Sequence, residues 1–114
     1  MNKDTEWGQI SVHDDVLAAL AGAAALSVPG VAQMVARHHG DDTVEKISQE
    51  DLARGVVITM DSIGMVVDIS LMVRYGVKIK DVGLDVIRAV QRAIWDAVAT
   101  RPNRIVIHVE GVRK

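Results

Sequence analysis

The sequence predicts an α+β domain: a small mixed β-sheet with two main helices on one face, in the order β-α-β-β-β-α-β. Two stretches have helical character, because residues 14–26 are rich in Ala and Leu and residues 80–99 place apolar side chains every three or four positions. The segments around them alternate apolar with polar residues, which is typical of strands with one buried face. Gly and Pro separate several of these segments and indicate turns.

The first two predicted elements are a strand at Gly8 to Val12 and a helix from about Asp14 to Leu26. His13 and the two acidic residues that follow it favour a helix start, because they supply capping groups and negative charge at the N-terminus. Small Ala and Gly side chains keep this helix thin and leave it without a broad polar face. We therefore expect it to be covered by the sheet and by another subunit.

The middle of the chain contains a turn and a polar excursion. Pro29-Gly30 ends the first helix and reverses the chain, and a short strand is predicted at Val31 to Ala36. Residues 37–54 are the most polar segment and are interpreted as an excursion from the core. Inside it, Asp42 and Glu45 have the spacing of a capping box, which predicts one short helix.

The second half of the chain has the clearest pattern. Gly55 to Asp61 and Met65 to Val73 are predicted strands joined by a three-residue turn, which makes a hairpin. Tyr75-Gly76 leads to a second helix from Lys80 or Asp81 to Ala99, with one apolar and one charged face. The last predicted strand is Arg104 to Val109.

Length and patterning predict one domain. A chain of 114 residues has room for one hydrophobic core. Residues 1–7 are expected to be a flexible N-terminus, and residues 8–112 to form the single domain with the excursion at 37–54 inside it. Residues 1–7 lack the apolar stretch of a signal peptide, and Pro29-Gly30 interrupts the longest uncharged run, so no membrane insertion is predicted.

Composition excludes several classes of function. Aromatic residues are 3% of the chain, with Trp7, Tyr75 and Trp95 and no Phe, so few rings are present to stack on bases or flat cofactors. The formal net charge is −2, which supplies no overall attraction to nucleic acid. With no Cys, the chain has no thiolate nucleophile and no Cys-based metal site. No glycine-rich phosphate motif is present, and we predict no cofactor.

Three groups of residues raise the question of a chemical site. Asp68, Ser70 and His108 share one predicted sheet face and combine an acid, a hydroxyl and an imidazole. No nucleophile elbow or oxyanion donor accompanies them, so a polar sheet face is the simpler interpretation and no catalytic residue is predicted. The His38-His39-Gly40-Asp41-Asp42 run has metal-ligand residue types but no helical ligand spacing, so we predict a polar loop and no metal site.

Basic residues also gather loosely around the second helix: Arg74, Lys78, Lys80, Arg88 and Arg92. Asp81, Asp85 and Asp96 are mixed among them, which is typical of a solvated, salt-bridged face and not of a nucleic-acid interface.

The remaining candidate is the sheet face opposite the helices, which carries both apolar and polar side chains. Along each strand these residues alternate with the residues that face the core. Such a mixture fits a contact surface for another protein, and equally a solvated face with scattered apolar residues. The predicted partner surface comprises Val57, Thr59, Val66, Asp68, Ser70, Met72, Val106 and His108.

Five short motifs carry a family resemblance. They occur in this order along almost the whole chain: Gly8-Gln9-Ile10, Val28-Pro29-Gly30-Val31, Arg54-Gly55-Val56-Val57, Tyr75-Gly76 and Val109-Glu110-Gly111-Val112. Together they resemble the alkaline shock protein family, the envelope stress response proteins of Gram-positive bacteria. The chain is most similar to the short YloU-type branch of that family.

The resemblance implies a non-enzymatic role. Members are cytoplasmic proteins, and some are held at the inner face of the membrane by a separate anchor protein. A structural or adaptor module in the envelope stress response, acting through self-association and protein partners, is therefore expected. The alternative that the resemblance implies is a regulatory partner of a lipid-metabolism enzyme such as a fatty acid kinase. No catalytic, cofactor-binding or metal residue is carried over from the family.

Overall fold

The computed structural model describes residues 2–37, 44–46 and 53–114. Its elements confirm the α+β class and the mixed sheet. In chain order they are β1 (Asn2–Thr5), β2 (Gly8–Ser11), α1 (Asp14–Leu26), β3 (Val31–Arg37), β4 (Val44–Lys46), β5 (Val56–Met60), β6 (Met65–Arg74), α2 (Ile79–Val98) and β7 (Arg104–Arg113).

Strand β6 organises the main five-stranded sheet. It pairs in parallel with β7 along nearly its whole length, from Val66 opposite Arg104 to Arg74 opposite Arg113. Its other edge is divided, because the first half pairs antiparallel with β5 and the second half antiparallel with β3. Strand β4 then pairs with the outer edge of β3. Helix α2 provides the crossover that a parallel β6–β7 pair requires.

The core lies between β6 and the two helices. Along β6, every second side chain is buried, so the residues at 65, 67, 69, 71 and 73 face the helices. Helix α2 adds a buried stripe from Val82 to Val98, and α1 adds Leu17 with several small residues. Because Ala residues line the buried side of α1, its backbone packs close to α2 and the sheet, as the thin-helix prediction requires. The buried residues described are all apolar.

The turn after α1 depends on Gly30. Its φ of 103° lies in the left-handed region, which residues with a side chain rarely adopt. A Cβ at this position would lie 2.7 Å from Cγ2 of Val82 on α2. The Gly30 carbonyl also accepts a hydrogen bond of 2.8 Å from the Arg74 amide at the end of β6. The turn thus joins α1, β6 and α2 at one point, which only a residue without a side chain allows.

The β5–β6 hairpin is closed by Asp61. Its carboxylate accepts hydrogen bonds of 2.9 Å from the amides of Ile63 and Gly64. These two hydrogen bonds hold the pKa of Asp61 below its ordinary value, and the bond from Gly64 has the larger effect. The positive charge of Arg104 lowers the pKa by a smaller amount. The Asp61 amide in turn donates to the Gly64 carbonyl at 2.9 Å. The polar three-residue turn therefore satisfies its own backbone groups.

The helix boundaries agree closely with the sequence patterns. Helix α1 spans Asp14–Leu26 as predicted, and the Nδ1 atom of His13 accepts a hydrogen bond of 3.3 Å from the Asp15 amide. Helix α2 begins at Ile79, one residue before the predicted start. Strand β7 continues to Arg113, four residues beyond its predicted end at Val109, because β6 offers a pairing edge out to Arg74.

Three features differ from the predicted order. The prediction of a short helix in the excursion is wrong at Val44–Lys46, where the chain forms β4 against β3. The open edge of β3 offers backbone partners there, and pairing with them overrides the local capping pattern. Strand β2 is not part of the main sheet but pairs with β1, a strand that the sequence analysis did not predict. The β1–β2 hairpin has exposed side chains from Asp4 to Ser11, including Trp7 at its turn.

Candidate functional site: the open face of the sheet

Strand pairing defines a second sheet face, opposite the helices, which we call the open face. Its central row runs across three strands from Val57 through Asp68 to Val106. The row before it contains Val66 between Thr59 and Arg104. All eight residues of the predicted partner surface lie on this face: Val57, Thr59, Val66, Asp68, Ser70, Met72, Val106 and His108. Their role in binding remains a prediction.

A hydrogen-bonded pair of an aspartate and a histidine lies at the centre of the open face. His108 Nε2 is 2.9 Å from Asp68 Oδ1, across the β6–β7 pair. Both side chains are partly open to solvent, so the pair contributes little to stability and its polar atoms remain within reach of a partner.

The geometry does not supply the contact that hydroxyl catalysis needs. Ser70 is directly opposite His108 in the strand register, yet among the described residues its hydroxyl has no hydrogen bond to the imidazole, whose Nε2 is engaged with Asp68. A serine nucleophile requires a base within hydrogen-bond reach. Asp68, Ser70 and His108 therefore form part of a polar surface in this arrangement.

Apolar side chains surround the Asp68–His108 pair. Val57 is 57% exposed, and Val66, Met72 and Val106 are half-buried. The Met72 side chain lies over Gly111, where an added Cβ would come within 3.3 Å of the Met72 Cε atom. The glycine of the Val109-Glu110-Gly111-Val112 motif thus makes room for a flexible apolar side chain on the surface. Apolar and polar side chains are thus mixed on this face, as they are in non-obligate protein interfaces.

One end of the open face is basic. Strands β6 and β7 end side by side, so Arg74 lies opposite Arg113, and Lys114 follows. Arg113 donates a 2.9 Å hydrogen bond to Gln33 of β3, and the Lys114 ammonium lies 5.4 Å from the centre of the Tyr75 ring. A shallow cleft of about 710 Å³ is lined by Arg74, Tyr75, Arg113 and Lys114 together with Ala32. The sequence analysis missed this cluster, since only the parallel register brings Arg74 and Arg113 together.

The exposed side of α2 carries a second shallow cleft, of about 370 Å³. Arg101 lies over the Trp95 ring with 5.3 Å between the guanidinium carbon and the ring centre. On the same helix Arg88 is 3.7 Å from Asp85, and Arg92 is 4.0 Å from Asp96. These ion pairs agree with the salt-bridged face that the sequence predicts, and they leave the cleft without a concentrated charge.

The run of residues 38–42 and the capping residue His13 have different outcomes. His38, His39, Asp41 and Asp42 lie outside the described residues. His13 caps α1 and lies 3.7 Å from the Asp15 carboxylate, which agrees with the simpler capping interpretation. Within residues 2–37, 44–46 and 53–114, no group of three or more His, Asp or Glu side chains is arranged to hold a metal ion.

The fold and the open face define a class: a small α+β protein with helices on one sheet face and a mixed polar and apolar surface on the other. The sequence profile of the alkaline shock protein 23 family, described as having a cell envelope-related function, matches residues 2–114. The chain belongs to this family. The resemblance that the five motifs indicate is thereby confirmed.

Individual relatives cover nearly all of the chain. It is 29% identical to the Bacillus subtilis (strain 168) protein YloU over 110 residues, which is 96% of this chain and 92% of YloU. It is 27% identical to YqhY of the same organism over 112 residues, covering 98% of this chain and 82% of YqhY. A Streptococcus pyogenes protein is 26% identical over 111 residues, with 96% and 92% covered. All three are described as uncharacterized proteins. No solved structure matches the chain.

Neither helix in the described part of the chain is both long enough and apolar enough to span a membrane.

Proposed function

We propose that this chain is a non-enzymatic module with an envelope stress role, acting through self-association and through protein partners that bind the open face. The observation that carries the proposal is the alternation of β6. One side of this strand is buried under the helices, while the other presents Asp68, Ser70 and Met72 half-exposed. A face that the fold does not need for its core is available for contacts with another molecule.

The composition of the open face supports a protein partner. Its apolar residues, such as Val57 and Met72, provide contact area, and the Asp68–His108 pair provides directional polar groups. Interfaces that form and dissociate combine these two kinds of side chain. The basic end at Arg74 and Arg113 favours a partner with an acidic patch at that position. Recruitment to the inner face of the membrane by such a partner belongs to the same proposal.

Partner capture with a matched pair of variants tests the open face. Val57→Lys places a charge on it, and Val16→Lys places the same charge on the outer side of α1 at similar exposure, 57% against 52%. Proteins captured from a bacterial lysate are quantified by mass spectrometry. We expect specific partners to be lost with Val57→Lys and retained with Val16→Lys. Equal capture by both variants and the original protein would refute a role for the open face.

The alternative function is regulation of a lipid-metabolism enzyme such as a fatty acid kinase, and the basic end of the open face is the feature that favours it. An enzyme regulated in this way would bind the basic end of the open face through an acidic surface near its own active site. Adding purified protein to that kinase changes the turnover rate if the alternative holds, and Arg74→Glu reduces the change. An unchanged rate together with no complex would exclude it.

A further inference from the structure

Strand β7 leaves one long edge of the main sheet open. It has ten residues, and β6 is its strand partner on one side. Among the described residues no strand pairs with its other side. The backbone amides and carbonyls along that side form a template to which another strand can add.

The protective features of this edge lie at the two ends of its central segment. Arg104 begins the strand, and Glu110 is the additional residue of a bulge, because Leu71 pairs with Val109 and Met72 with Gly111. Charges and bulges are the usual means by which edge strands avoid pairing. The five residues between these ends, 105–109, read Ile-Val-Ile-His-Val and contain no formal charge when His108 is neutral. The centre of the edge is therefore suited to pairing.

We propose that a second copy of this chain pairs with β7 in antiparallel fashion, with the two-fold axis at Ile107, so that two sheets become one. This inference rests on the self-association in the proposed function and names its surface. In this register Ile105 of one copy is opposite Val109 of the other, which extends the apolar row on the helix side. Arg104 is then opposite Glu110 of the second copy, twice per dimer, which gives opposite charges where like charges would repel.

Helix α2 supplies the remaining contact area. Helix α1 contacts β3 and β5, whereas α2 contacts β7 and lies nearest the open edge. Leu84, Ile87 and Trp95 are spaced by three and eight residues, which places them on one flank of α2. Ala89 lies on the opposite flank and packs against the core. Arg101, in the segment that leads into β7, lies over Trp95, and this contact favours the Leu84–Trp95 flank as the one nearer β7.

A stable dimer needs an interface area that the β7 edge and the flank of α2 supply only together. Stable dimers bury about 800 Å² on each subunit, and a five-residue strand pairing alone falls short of that area. Leu84 and Trp95 are exposed, large and apolar, and they supply apolar area for contact with the second copy. Edge pairing would fix the register, while the α2 flanks provide apolar burial.

Cross-linking tests the register directly, since the chain has no cysteine. Residues directly opposite in an antiparallel pair have Cα atoms about 4.5–5.5 Å apart, within the range for a disulfide. Ile107→Cys is therefore expected to give a disulfide-linked dimer under mild oxidation. Val112→Cys is the matched control on the same strand, because the two copies of residue 112 would be separated by about 33 Å along the strand.

Charge reversal tests the same register without oxidation. Arg104→Glu and Glu110→Arg each place like charges opposite one another, and we expect each to weaken the dimer by about tenfold or more in analytical ultracentrifugation. The double variant Arg104→Glu/Glu110→Arg is expected to restore the dimer. Residues 104 and 110 are about 20 Å apart within one strand, so restoration reports a contact between chains. Circular dichroism verifies that each variant is folded.

The outcomes separate this inference from the proposed function. A dimer that persists in both single charge variants, with no Ile107→Cys cross-link, would refute the β7 interface while leaving self-association intact. If Val16→Lys then dissociates that dimer, the outer side of α1 is the interface instead. A protein that stays monomeric at millimolar concentration would refute self-association and the β7 interface together.

Discussion

The two faces of strand β6 differ although they share one backbone. On the helix side, Ile69 and Leu71 are fully buried in the aliphatic core. On the open side, Asp68, Ser70 and Met72 are half-exposed, and Asp68 is hydrogen-bonded to His108 of β7. A single residue step along the strand separates a position that stabilises the fold from one that is free to bind. Stability and partner binding should therefore respond to different substitutions.

The largest expected effect comes from truncating the core face. Leu71→Ala removes a fully buried side chain and is expected to lower the free energy of unfolding by about 2–5 kcal/mol. Met72→Ala, one residue further along, should cost about 1 kcal/mol or less because Met72 is half-exposed. Urea denaturation of both variants measures the difference. Equal losses would show that the open face is part of the stabilising core.

The next effect concerns the turn that connects the helix layer to β6. Gly30→Ala is expected to cost about 1–3 kcal/mol, because Gly30 has a φ of 103° and its new Cβ would collide with Val82. Gly76→Ala is the matched control: Gly76 also has a positive φ, of 90°, but open space around it. Thermal unfolding should therefore show a larger loss for Gly30→Ala. A similar loss in both variants would assign the whole effect to the backbone.

A smaller effect on stability is expected from the Asp68–His108 pair of the open face. Asp68→Ala and His108→Ala should each change the free energy of unfolding by less than about 1 kcal/mol, since exposed pairs contribute little. The same variants are expected to reduce partner capture. A double-mutant cycle separates the pair from its surroundings. A loss of stability as large as that of Leu71→Ala would contradict the division of roles between the two faces.

The smallest effect lies in the turn between β5 and β6 and depends on pH. Hydrogen bonds from Gly64 and Ile63 lower the pKa of Asp61 in the folded state, so the ionised carboxylate favours folding. This contribution is complete above the unfolded pKa of about 4 and is lost as the pH falls through the folded pKa. The stability difference between the original protein and Asp61→Ala should thus shrink on acidification. A difference that is constant from neutral pH to pH 3 would refute this linkage.

Local patterns predict a large part of this fold. The capping residues at 13–15 and the break at Pro29-Gly30 bound α1, and alternating side chains predict β6 together with its buried face. These features depend on near neighbours in the chain. Strand β4 shows the opposite case, because its three residues carry a helix-start pattern but pair with the free edge of β3. Pairing partners far apart in sequence override weak local preferences.

The candidate site divides in the same way. Alternation alone places the eight residues of the predicted partner surface on one side, because the side-chain direction repeats every two residues. The order of the strands is a tertiary property, since it depends on which edges meet. It brings His108 to Asp68 and Arg113 to Arg74, and among the described strands it leaves the outer edge of β7 unpaired.

The sequence by itself determined that the protein has an aliphatic core, two helices of different character and a strand with one buried and one half-exposed face. Residue type and periodicity suffice for these properties, because they express burial and backbone preference within one element. Only the tertiary structure decided that β5 and β3 share one edge of β6, that β7 takes the other in parallel, and that β2 pairs outside the main sheet with β1. Backbone hydrogen bonds can form between many pairs of strands, whereas packing against the helices selects one set of partners. Sequence periodicity alone therefore leaves the choice of partners undecided.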